Sequence, residues 1–148
     1  KVLRKEPGAR LHLAGNKMPK DLMEHHATGV QMKGRVKNAT SYMRERQVMV
    51  VPLFSGGGMR VKIIEGMAMG KAVISTPIGA EGIDCTDGKD ILLASTASAF
   101  AEHMASLHRD PKRAIALGNA ARKLIERTYT DVPIVQELTA FYKRLLKA

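Results

Sequence analysis

Tryptophan is absent from this 148-residue sequence, and Phe and Tyr supply three residues each, so aromatics make up 4% of the chain. Single-stranded nucleic acid is read largely by stacking on aromatic rings, so this scarcity, with no helix-turn-helix pattern, argues against nucleic acid as a partner. Cys85 is the only cysteine, which excludes an internal disulfide and leaves no thiol pair for a zinc site. No apolar run approaches the roughly 20 residues of a membrane-spanning helix, and none near Lys1 resembles a signal peptide. A cytoplasmic protein is therefore expected. His12, His25, His26, His103 and His108 follow no ligand spacing such as H-E-x-x-H. They are read as surface or core residues, and no metal site is expected. Internal repeats and low-complexity tracts are missing too.

Acidic side chains are the scarcer charge, 14 Asp+Glu against 24 Lys+Arg, for a net charge of +10. The excess is biased toward the start, where nine basic residues face three acidic ones up to Lys37. Such a field attracts a nucleotide diphosphate, an anionic membrane face or a polyanion without discriminating among them, and solvated lysines are its ordinary reading. With 45% apolar and 26% charged residues the chain has the composition of a globular protein, and its length suits one domain over 1–148.

Arg10 to Gly15 alternates and stops at glycine, as a strand does. Asp21 to His26 is a helical candidate, and Val30 to Gly34 a second strand. Asn38 is a good N-cap for a helix through about Arg46. Val48-Met49-Val50-Val51-Pro52 then reads as a strand buried on both faces. A helix from Met59 to Met69 ends at Gly70, followed by a buried strand, Lys71 to Ser75, and a short one at Ile91-Leu92-Leu93. Phe100, Met104 and Leu107 share one helix face. Asp110-Pro111 opens a further helix to about Arg127 with Ile115, Ala121, Leu124 and Ile125 toward the core. Ile134, Leu138, Phe141 and Leu145 mark an amphipathic C-terminal helix that must pack on the sheet or on another domain; its Lys143, Arg144 and Lys147 would suit a membrane surface. Val2 to Lys5 reads as the end of a helix, and the chain is expected to be a fragment. Strands alternating with helices predict an α/β fold, a doubly wound parallel sheet with ligands at the carboxyl ends of its strands.

Gly56, Gly57 and Gly58 stand at a strand-to-helix junction just before Arg60 and Lys62. Glycine permits positive φ and close backbone approach, so successive amides and the helix dipole can cradle a phosphate while the two cations supply formal charge. A flexible surface loop is the alternative. A Walker A loop is excluded, since no Gly-Lys-Ser/Thr follows, and the fingerprint G-x-G-x-x-G is missing. Glu65 is a lone carboxylate in the apolar stretch Ile63 to Met69. It is suited either to an ion pair with Lys62, three residues earlier, or to accepting hydrogen bonds from sugar hydroxyls about 7 to 8 Å beyond Arg60. Glu81 follows a strand end and is either near the site or simply solvated.

The stretch from Gly58 through Glu65 and Gly70 to Thr76 resembles the donor-binding segment of family 4 glycosyltransferases. Leu11 to Gly15 and Val30 to Val36 are similar to the strands before it in that family, and Asp87 to Leu93 to the segment after it. The resemblance implies a Rossmann-like C-terminal half of a GT-B enzyme. Such a half binds a nucleoside-diphosphate sugar such as a UDP-sugar or GDP-sugar, opposite its own N-terminal acceptor domain. It further implies retaining transfer to a glycan or lipid-linked acceptor in polysaccharide biosynthesis, with no required metal and no cofactor. Peripheral contact with the inner face of a membrane is an accompanying expectation. By position, Glu65 matches the family's ribose-binding glutamate, Met59, Arg60, Val61 and Lys62 the place where amides meet the diphosphate, and Gly34, Arg35 and Val36 the region beside the base. The family's E-x-x-x-x-x-x-x-E pattern would place a second glutamate where this chain has Gly57, and its opening strand and basic phosphate loop precede Lys1. No catalytic residue is assigned, because leaving-group stabilisation is the role these residues support. The rival readings are a non-enzymatic polyanion-binding module and a sugar-nucleotide epimerase of the same architecture.

Overall fold

Side chains alternate between two apolar layers along every central strand, and that alternation sets the architecture. The computed structural model describes residues 1–24 and 26–146; His25 and Lys147, named above, lie outside them. Among the described residues, β1 (Leu11–Ala14) and β2 (Val30–Gly34) pair in parallel, Leu11 opposite Val30. β3 (Val48–Val51), β4 (Ala72–Ser75) and β5 (Leu92–Leu93) form a second parallel ladder in that order. The helices are α1 (Val2–Lys5), α2 (Lys20–Met23), α3 (Ala39–Arg44), α4 (Val61–Ala68), α5 (Ala97–Arg109), α6 (Pro111–Thr128) and α7 (Asp131–Leu145).

On one face Val73 of β4 meets Ile63 and Met67 of α4 and Ala121, Leu124 and Ile125 of α6. On the other, Ala72 and Ile74 meet Phe100 and Leu107 of α5 and Leu117 of α6. The period of two along the strand places helices on both faces of a parallel sheet, the doubly wound arrangement expected. Each fully buried aliphatic side chain in these layers stabilises the fold by about 1.5–3 kcal/mol.

Local chemistry positions the helices. Asn38 accepts a hydrogen bond from the Ser41 amide at 2.9 Å to start α3, and Asp110 accepts one from Arg113 at 3.0 Å to start α6, with Pro111 in the first turn. α4 ends with Gly70 at φ +70, the Gly70 amide bonded to the Met67 carbonyl and the Lys71 amide to that of Gly66. This paired closure satisfies two carbonyls that the helix end would otherwise leave free.

Several expectations are corrected. α4 begins at Val61, not Met59, because Gly58 has φ +80 and Arg60 is still extended at φ −90, ψ 95. α2 covers Lys20–Met23 rather than 21–26. β3 is only half-buried throughout, since it has a ladder partner on one side alone. Ile115 is exposed, because the close approach of Gly118 to the Gly70 backbone turns Ala114, Leu117 and Ala121 inward instead. The stripe Ile134, Leu138, Phe141 and Leu145 of α7 is about half exposed and does not lie on the sheet.

Candidate functional site

The loops after β1, β2, β3 and β4 gather at one end of the molecule, where parallel strands present their carboxyl ends. The loops after β3 and β4 are laced together by Thr76, 2% exposed, whose hydroxyl donates to the Leu53 carbonyl and accepts from the Gly79 amide at 2.9 Å. The Ser75 hydroxyl adds a bond to the Val51 carbonyl at 3.3 Å. This lacing holds the approach to α4 in place.

Gly56 and Gly58 have φ +114 and +80, conformations that favour glycine, whereas Gly57 has open space around it. The loop folds back on itself: Arg60 donates to the Gly57 carbonyl at 2.6 Å, and Met59 rests against Gly82 of the loop after β4. Arg60 therefore pins the glycine loop. No side chain caps the start of α4, so its leading amides, together with the positive end of the helix, are left for an external acceptor. Val61 is exposed there.

Lys62 and Glu65 form an ion pair at 2.5 Å, with side chains 64% and 41% exposed. Glu65 is thus not a buried carboxylate, and its ion pair with Lys62 forms. At this exposure the pair contributes little to stability, about 0.3–0.5 kcal/mol, and either partner is readily recruited elsewhere.

A cavity of about 1000 Å³ reaches this end, with Gly15, Asn16, Arg35, Val36, Pro52 and Lys62 among its lining residues. Gly34, buried at φ +58, ends β2 and turns Arg35 and Val36 toward it. Of the residues singled out from sequence, Arg35, Val36 and Lys62 meet at this cavity. Gly56, Gly57, Gly58, Met59 and Arg60 lie on the neighbouring loop, outside its lining. Glu81 is exposed.

The loops after Gly15 and Pro52 were expected at the site from the sequence, and Asn16 and Pro52 line the cavity, whereas a polar cluster on the cavity wall was missed. His12 Nδ1 lies 2.8 Å from the Tyr42 hydroxyl and 3.4 Å from Arg46 Nε, and the Arg46 guanidinium sits 4.3 Å from the centre of the Tyr42 ring. Burial, then the charges of Arg46 and Lys33, push the His12 pKa below its usual 6.5. No local signal links residues 30 and 34 positions apart, so this cluster was invisible in the sequence. Among the described residues no group of His, Cys, Asp and Glu is arranged to hold a metal ion, and no helix is long and apolar enough to cross a membrane.

The sequence model of the family described as Glycosyl transferases group 1 matches residues 1–110. No curated protein matches the chain. Among solved structures, sucrose-phosphate synthase from Thermosynechococcus elongatus superposes with a TM-score of 0.77 at 21% identity, over 99% of this chain and 41% of that one. HepE from Anabaena, solved in complex with UDP, gives 0.78 at 15% identity, over 97% and 43%. The C-terminal domain of LpcC from Francisella tularensis, a glycosyl transferase group 1 family protein, gives 0.73 at 19% identity, over 88% and 74%. These likenesses establish a shared fold, and the chain spans less than half the length of the first two proteins.

Proposed function

Since the chain belongs to the group 1 glycosyl transferases, we propose that it is the donor-binding half of a two-domain GT-B transferase that moves a sugar from a nucleoside diphosphate to a glycan or lipid-linked acceptor. The observation that carries this reading is that Arg35 and Lys62 both line one cavity, beside the uncapped start of α4. A diphosphate there is met by two cations and a helix dipole. As the bond from sugar to phosphate breaks, negative charge grows on the diphosphate, and fixed positive groups favour that state over the bound donor.

Glu65 lies one helical turn further along α4. In this reading it leaves Lys62 when the donor arrives: Lys62 turns to phosphate and Glu65 accepts from ribose hydroxyls, as the family resemblance implies. The full enzyme adds an N-terminal acceptor domain and works in the cytoplasm, at the inner face of the membrane when its acceptor is lipid-linked. Retaining transfer without a metal or cofactor belongs to the same proposal.

Calorimetric titration of the full-length protein with UDP, GDP and ADP tests it. One nucleotide is expected to bind, and Glu65→Ala to weaken it roughly 10- to 100-fold, the worth of about 1.5–3 kcal/mol in hydrogen bonds to a charged group. Absence of binding by every nucleotide, or unchanged affinity in the variant, contradicts the assignment.

A further inference from the structure

Residues 76–84 follow β4 in turns and irregular structure. Their near end is fixed to the loop after β3 by the Thr76 hydroxyl. Their middle bears on the start of α4: Gly82, at φ +77, leaves room for Met59, whose Cβ is 3.6 Å from the place a Cβ would take on Gly82. Met59 is followed directly by Arg60, the residue ahead of the uncapped start of α4. The place of this loop therefore bears on the place of the first amides of α4.

The far end of the loop is held by a side chain from α6. The Asp84 amide donates to the Tyr129 hydroxyl at 2.7 Å, and that hydroxyl in turn donates to the Gly82 carbonyl at 3.5 Å, across 45 and 47 positions of sequence. One side chain thus engages a donor and an acceptor of the same loop. Its base is rigid: Tyr129 closes α6 with its amide bonded to the Ile125 carbonyl at 2.8 Å, and its ring packs against the cluster that holds Ile63, Leu124 and Ile125. The Thr130 hydroxyl adds a bond to the Glu126 carbonyl at 3.1 Å. A strut from a packed helix end places a loop more precisely than the loop's own turns can.

The core does not need the hydroxyl. A phenylalanine would fill the same space, and both hydrogen bonds of the hydroxyl end on the loop, at residues 82 and 84. Gly82 and Asp84 are exposed, so water takes over their polar groups when the hydroxyl is removed, and the fold loses little. What is lost is the place of the loop.

We infer that Tyr129 is a positioning residue of the donor site: its hydroxyl holds residues 82–84 against Met59 and thereby sets the start of α4 against the diphosphate. The inference rests on the donor-binding reading proposed above. Its effect is confined to the phosphate end of the donor, because Arg35 and Val36, the residues proposed beside the base, follow β2 in the other ladder.

Tyr129→Phe in the full-length protein tests it in two steps. Hydrogen exchange read by mass spectrometry, without nucleotide, should show amides of 82–84 and 57–61 exchanging roughly 3- to 10-fold faster than in the unaltered protein, the worth of one hydrogen bond, with 72–75 and 121–125 unchanged. Unchanged exchange at 57–61, or equal acceleration at 72–75, overturns the inference. Calorimetry with the nucleoside diphosphate that the unaltered protein binds should then show affinity weakened roughly 3- to 10-fold, whereas the corresponding nucleoside, followed by ligand-observed NMR, binds both proteins equally. Equal loss for the two ligands, or no loss for the diphosphate, refutes the positioning role and leaves the donor reading intact. An unaltered protein that binds no nucleotide refutes the donor reading and this role with it. Met59→Ala cuts the same path nearer the site, so the double variant should lose no more affinity than the greater single loss, and losses that add refute the path.

Discussion

Gly118 of α6 faces the backbone of Gly70 and Lys71 so closely that a Cβ there would overlap the Gly70 carbonyl. Alanine ordinarily gains about 0.5–1 kcal/mol over glycine inside a helix. Here the clash is with main chain, which yields only by moving a strand or a helix, and such overpacking costs about 1–3 kcal/mol. The clash wins by about 1–2 kcal/mol, and Gly118→Ala is expected to lower the melting temperature by roughly 2–8 °C. Gly57 is the opposite case, with no positive φ and nothing within 4 Å of the place a Cβ would take. Gly57→Glu, which restores the family's second glutamate, should change stability by no more than ~0.5 kcal/mol, as a thermal melt will show. His12 carries a pH effect. Its pKa is lowered by burial first and then by Arg46 and Lys33, so the unfolded chain takes up the proton more readily than the folded one. Stability is therefore fully present above the unfolded value of 6.5 and falls as the pH drops from there toward the lower folded value. Between about pH 7.5 and pH 5.5 the native protein should lose more thermal stability than His12→Gln; a larger loss in the variant contradicts this.

Elements form where local chemistry and tertiary packing agree, and α4 shows both. Its closure uses Gly70 at φ +70, a conformation that costs an L-residue about 1–2 kcal/mol. Gly70→Ala should accordingly destabilise the protein by that amount, measured by urea unfolding at unchanged slope. The start of α4 behaves differently. Arg60 occupies the capping position without making a cap, and helices with an uncapped start forgo about 1 kcal/mol. In the proposed reading this start faces the donor, and a functional site is where local consistency is expected to give way. α6 illustrates how a helix chooses its face: apolar residues stand at both 114 and 115, and contact with the Gly70 turn selects Ala114 over Ile115.

On the scale of the whole molecule, the apolar stripe on α7 is left about half exposed among the described residues. Leu138 and Phe141 are 50% and 47% exposed, so in the 148-residue chain Phe141→Ser should lower stability by about 1 kcal/mol, roughly half the worth of a fully buried Phe. A loss above about 2 kcal/mol on chemical denaturation would mean that this face is packed in solution. The net charge of +10 acts at the same scale, raising the local concentration of any anionic ligand without choosing among ligands.

The sequence by itself determined the elements whose signals are local. Asn38, Asp110 with Pro111, and Gly70 announce helix ends because their side chains, or the lack of one, act on backbone within a few residues. The doubly wound class and the family resemblance were legible for the same reason, one from alternating periods and the other from the contiguous residues from Gly58 to Thr76. Tertiary structure alone decided what those elements face. That Ile115 turns outward, that Arg60 folds onto Gly57, that Tyr42 and Arg46 reach His12, and that Arg35 meets Lys62 across a cavity all depend on residues far apart in the chain. Such contacts are selected by packing around one core, and no pattern confined to a short stretch of sequence encodes which distant partner the core brings near.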